Sequence, residues 1–168
     1  MRNNREKESL KLVSDLIKQQ FGDIQVWESK DRFAHYDLFL KYKEQNVFFE
    51  VKERMNKYVE LENFIIYSNE GWQLEMIKYN FLVGKPNRYI NLFRVNGEII
   101  IMTWDINNIT KVHKDLNCPA TTEFNRNNFH NKSSLLLTPE MGITYILKDN
   151  KYEVIDFKEL ITKLTKLN

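Results

Sequence analysis

The sequence has little of what usually betrays a secreted, metal-stapled or nucleotide-driven protein. Cys118 is its only cysteine, so no internal disulfide forms, and the count fits a reducing compartment. Three scattered histidines and one cysteine lack the ligand count for zinc, so His113 and Cys118 do not make such a site. No Gly-rich phosphate loop is present and Cys118 has no histidine partner motif, which demotes nucleotide-dependent and thiol enzymes. No run approaches the ~18 apolar residues of a membrane helix. Met1 is followed by Arg2, Asn3, Asn4, Arg5, Glu6 and Lys7 rather than by an apolar stretch, so neither a secretory leader nor a membrane partner is expected, and the expected location is cytoplasmic. A strong excess of one charge sign is missing too. The balance of 25 Lys and Arg against 23 Asp and Glu gives +2, compatible with nucleic acid without arguing for it.

What is present is an ordinary globular composition, 42% hydrophobic and 13% aromatic over 168 residues. A chain of this length buries ~70% of the surface it exposes when unfolded, enough for a core without staples. The expectation is one domain over 1–168, with its core at about 5–104 and a loop-rich extension at 105–168 that ends in a helix.

Leu10, Val13, Ile17 and Phe21 recur at helical spacing, Leu12 and Leu16 widen the stripe, and Gly22 supplies a stop. Ile24 to Trp27 are extended in pattern, and Glu28 to Arg32 read as a loop. Residues 36–52 place two runs rich in Phe, Tyr, Leu and Val around a polar turn at Glu44, Gln45 and Asn46, a hairpin pattern. Residues 60–67 look extended, with a short helix capped at Ser68 or Asn69 running to about Lys78 and a strand over Tyr79–Val83. Asn96-Gly97 between two strand-like runs predicts a tight hairpin over 89–103. Residues 105–134 read mostly as loop, including a basic and aromatic stretch, Asn125 to Ser134, whose Arg126, His130 and Lys132 are placed to touch phosphates or base edges. Thr144–Leu147 and Tyr152–Ile155 predict a further hairpin, and Asp156 caps a last helix with Phe157, Leu160, Ile161 and Leu164 on its apolar face. Trp72, Met76 and Ile77 read as core, as do Tyr89, Phe93 and Trp104.

Chemistry concentrates in the first hairpin. Glu50 and Lys52 lie two apart and share a strand face. Asp37 joins them if opposing residues sum to 87 or 89, and departs to the other face if they sum to 88. Two carboxylates and an ammonium at a sheet rim suit phosphodiester hydrolysis: the carboxylates hold a hard cation such as Mg²⁺, and the amine serves the attacking water. The carbonyl of Val51 faces the same cleft and adds a ligand. The competing reading is an exposed ion pair on an edge strand, but Val47, Phe48, Phe49 and Val51 make both faces too apolar for a free edge.

The order of helix, strand, Asp-bearing strand, turn and then Glu50-Val51-Lys52 resembles the PD-(D/E)XK, or restriction endonuclease-like, nuclease superfamily, in particular its small phage and mobile-element members. The residues before Asp37 are His35-Tyr36, where the family name has a proline. The resemblance covers roughly the first half of the chain. It implies an α/β fold with a mixed central sheet flanked by helices, to which this chain adds a C-terminal hairpin and helix. It implies a DNA nuclease, an endonuclease before an exonuclease, with RNA left open as substrate. It implies Asp37 and Glu50 as ligands of Mg²⁺, or of Mn²⁺ in its place, and Lys52 as the catalytic lysine. A first-helix glutamate, Glu6 or Glu8, would bind metal through water, and Gln73, Glu75 or Lys78 would add a polar group. A homodimer is expected if both strands of a symmetric site are cut. The alternative is a nuclease-like module that grips nucleic acid or a protein without cutting.

Overall fold

The computed structural model describes residues 2–31, 33–119 and 129–167. Helix α1, Asn4–Phe21, begins where the Asn3 side chain accepts from the Glu6 N–H, and stops at Gly22, whose φ of 87° few other residues adopt. Its buried stripe is Leu10, Val13, Leu16 and Ile17, as the periodicity predicts. Strands β1 (Trp27–Glu28), β2 (Leu38–Tyr42) and β3 (Gln45–Arg54) follow. The β2–β3 turn is Lys43-Glu44, not Glu44 to Asn46. Both residues take positive φ, 48° and 63°, as a type I′ turn requires. Leu38 then pairs with Phe49, so opposing residues sum to 87.

After β3 the structure departs from the expected order. Residues 61–70 form helix α2, Leu61–Glu70, rather than a strand, because Phe64 and Ser68, one turn apart, are both buried there. Trp72–Glu75 is strand β4, and Met76–Leu82 is helix α3, where a strand was expected over 79–83. Trp72 is core, but Ile77 is 55% exposed. Gly71 makes the junction possible. Its φ is 110°, and a Cβ there would lie 2.7 Å from Leu136 Cβ, so only glycine lets β4 approach the strand it pairs with.

Strands β5 (Asn87–Val95) and β6 (Glu98–Trp104) form the hairpin that Asn96-Gly97 predicts. The loop expected over 105–134 instead contains strands β7 (His113–Pro119) and β8 (Phe129–Leu137), which pair with each other. Arg126 lies outside the described residues; Lys132 is on β8. Strands β9 (Ile143–Lys148) and β10 (Lys151–Val154) pair as expected, and α4 (Phe157–Lys166) is capped by Asp156, which accepts from the Lys158 and Glu159 N–H groups.

The result is a mixed α/β architecture. A seven-stranded sheet runs β1-β2-β3-β5-β6-β9-β10, and β4-β8-β7 form a second, smaller sheet. Within the large sheet β3 and β5 are parallel and the other pairs antiparallel. Helix α1 covers one face, packing on Leu38, Leu40, Phe49, Ile90, Leu92 and Tyr152. On the other face Phe64, Trp72, Leu74, Phe93, Leu135 and Leu160 bring α2, α4 and the small sheet onto the large one. The residues expected to form an extension therefore complete the large sheet. No described helix is long and apolar enough to cross a membrane.

Candidate active site

The β2–β3 register decides which side chains meet. Continuing the Leu38–Phe49 pairing by one residue sets Asp37, just ahead of β2, opposite Glu50 on the same face. The Asp37 backbone is pinned on both sides: its N–H donates to Phe49 O, and its carbonyl accepts from Ser29 N, both at 2.8 Å. Its carboxylate is equally held. Oδ2 accepts from the Val51 N–H at 2.9 Å and Oδ1 from Arg2 Nη2 at 3.1 Å.

Glu50 lies on the central part of the sheet, between β2 and β5, with its side chain 12% exposed. Lys78, from α3, reaches its Oε1 at 2.7 Å. Burial and then the neighbouring Asp37 charge push the Glu50 carboxyl up to about 8, against the opposing pull of Lys78. The two carboxyl groups are in hydrogen-bond contact, so at neutral pH they share a proton.

Lys52 alternates onto the same face. Burial and then the Arg54 guanidinium pull its ammonium below the ordinary lysine range, with Glu75 and Glu50 opposing and Lys132 adding to the effect. Arg54 is itself buried, donating to Asn91 Oδ1 and, at 2.8 Å, to Gln73 O, with its guanidinium 5.4 Å from the Trp72 ring. Glu75 pairs with Lys132 at 3.1 Å.

The first-helix glutamates separate. Glu6 borders a cavity of about 270 Å³ that Asp37, Val51 and Lys52 also line, and pairs with Arg2 at 3.5 Å. Glu8 points elsewhere, 3.5 Å from Arg94, and does not join the carboxylate pair. Val51 meets Asp37 through its N–H. Gln73 is committed to the small sheet, where Nε2 donates to Ser134 Oγ at 2.8 Å. On the far face of β3, Glu53 ties α1 to the sheet. Burial works to raise its carboxyl, but the hydrogen bonds from Arg5, Ser9 and Arg94 prevail and hold it below the usual range.

Two groups at this site escape sequence reasoning. Arg2 stands four residues before Glu6, a spacing that hints at their pairing but says nothing of Asp37, 35 residues away. Arg54 extends the Glu50, Lys52 alternation by one step and was legible only as that. Among the described residues, no cluster unites three or more His, Cys, Asp or Glu side chains. Comparison with family models, curated proteins and solved structures gives no match.

Proposed function

We propose that this protein is a Mg²⁺-dependent nuclease that hydrolyses DNA phosphodiester bonds from a restriction endonuclease-like core. The observation that carries the reading is the pair of buried carboxyl groups, Asp37 and Glu50, pressed together at a sheet rim with Lys52 next on the same face. Two carboxyls forced to share a proton, with oxygen donors on both sides, fit a hard divalent cation that would take the proton's place. Asp37, Glu50 and the Val51 carbonyl would hold it, and it would supply the charge that stabilises the attacking and leaving oxygens.

The remaining work falls to the chain's own residues. Lys52, with its basicity lowered by burial, orients the attacking water and accepts its proton. Lys78 and Arg2 neutralise the carboxylates before a cation arrives. Glu6 is placed to bind through water, which Glu8 is not. A homodimer would serve a symmetric duplex site.

The direct test is cleavage of supercoiled, linear, single-stranded and branched DNA in Mg²⁺ and Mn²⁺, with Asp37→Asn alongside. Metal-dependent cutting and Mn²⁺ binding by calorimetry are both expected, and both are expected to vanish in the variant. Nucleic-acid binding that survives chelator and Asp37→Asn, without cutting, would establish the non-cleaving module instead.

The shared proton gives metal binding a pH dependence of fixed sign. With the Glu50 carboxyl at about 8, the metal-free protein carries the carboxylate in about 1% of molecules at pH 6 and about half at pH 8. Mn²⁺ affinity is therefore expected to rise roughly 50-fold over that interval, with proton release seen as a buffer-dependent heat. A flat profile would show that Glu50 is not a ligand.

A further inference from the structure

We infer that the sheet face beside the carboxylate pair is a platform for unpaired nucleobases, so that the strand entering the site is single-stranded or locally separated rather than continuous duplex. This rests on the nuclease reading and adds to it the form of the substrate.

Aromatic rings cover that face without filling a core. Asp37 and Phe39 alternate to one side of β2, and Trp27 on β1 pairs with Phe39 and stacks on it, with ring centroids 5.4 Å apart and planes at 21°. Tyr36 meets the edge of Phe39 at 5.9 Å and stacks on Phe81 of α3 at 5.7 Å and 14°. Trp27, Tyr36 and Phe39 belong to neither buried cluster of the molecule. Trp27 remains 39% exposed, and Phe33, on the loop between β1 and β2, 76% exposed. Rings left in water on an otherwise well-packed domain mark a surface that meets something flat and apolar.

The surroundings say what that is. Tyr36 and Asp37 both line a groove of about 960 Å³ whose other wall carries Arg2, Lys7 and Lys30. Lys85 stands 4.5 Å from the Phe81 ring. Cations along one side and stacked rings along the other match a phosphate backbone whose bases turn inward, the arrangement by which single strands are held without sequence preference. Bases locked in a duplex present no face to such rings. The platform begins two residues from Asp37, ~7 Å along the strand and within one nucleotide's reach.

Trp27 also supplies the probe, because Trp72 and Trp104 are 2% and 0% exposed and cannot touch a bound base. In chelator, a short oligothymidine strand titrated into the full chain is expected to quench tryptophan fluorescence and to bind at least ten-fold more tightly than a blunt duplex of equal length. Trp27→Ala is expected to weaken single-strand binding roughly ten-fold, read by fluorescence anisotropy of a labelled strand, while leaving duplex binding unchanged. Trp27→Phe, which keeps a stacking ring, should retain the affinity and lose the quench. Equal binding of the two forms, or single-strand affinity indifferent to Trp27→Ala, would overturn the platform even if metal-dependent cleavage were found. Binding through Trp27 with no cleavage in any metal would uphold the platform and sink the nuclease reading. Absence of nucleic-acid binding would overturn both.

Discussion

Lys52→Ala is expected to slow metal-dependent cleavage by about 10²–10⁴-fold, the usual contribution of a positioned proton-transfer group, while Mn²⁺ binding stays intact. The separation of the two effects follows from placement. Lys52 shares the strand face of Glu50 but lies one pleat further along, and it is Asp37, not Lys52, that hydrogen-bonds at the carboxylate pair. Single-turnover rates on an end-labelled strand read the chemistry, and calorimetry reads the metal. A second substitution tells what the amine does. Lys52→Arg keeps a positive charge but cannot release a proton near neutral pH. If Lys52 accepts the water's proton, arginine is expected to be nearly as slow as alanine, and the wild-type rate should climb with pH as the lowered amine deprotonates. Full activity in Lys52→Arg would reduce the residue to a fixed charge.

Glu50→Gln is expected to abolish metal binding and at the same time to stabilise the metal-free protein. The sign follows from linkage. The folded carboxyl sits at about 8 against an ordinary 4.5, so the folded state holds its proton after the unfolded chain has released it. No penalty exists below pH 4.5. It grows as pH rises from there and levels off above 8. Its size at pH 9 is ~3 kcal/mol once the Lys78 ion pair lost in the variant is set against it. For a chain of this length that corresponds to roughly 6–12 °C in Tm. Thermal melts of wild type and Glu50→Gln in chelator at pH 4.5 and 9 should coincide at the lower value and diverge at the higher. A variant less stable than wild type at pH 9 would show that the glutamate serves packing rather than a site that costs stability.

Where local physics decides, the sequence was readable. The stripe of α1, the Asn96-Gly97 turn and the Asp156 cap each depend on residues within one helical turn or one hairpin, and all three stand where expected. The region after β3 depends on distant partners. Glu60 to Tyr67 carry β-branched and aromatic residues that favour a strand by propensity, yet burial of Phe64 and Ser68 on one side makes them helical. Trp72–Glu75 is extended because Leu135 and Leu137 of β8, some sixty residues on, pair with it. The polar composition of β7 and β8 conceals strands that pairing creates. The carboxylate site lay between these cases. Alternation fixed Glu50 and Lys52 on one face, but Asp37 awaited the turn, and Lys43-Glu44, with no glycine or asparagine, gave no local signal of it.

The parallel pairing of β3 with β5 sets an order of assembly. Hairpins zip from their turns, whereas two parallel neighbours meet only after the whole crossover from Met55 to Pro86 has closed. Asp37 and Glu50 are therefore brought face to face early, by a short hairpin still open to water, where their repulsion is screened. Dehydration of Glu50 comes later, when that crossover brings α3 and Lys78 over it. The electrostatic burden of the site thus falls on the finished molecule more than on the barrier that precedes it, and it speeds the way out of the native state more than it slows the way in.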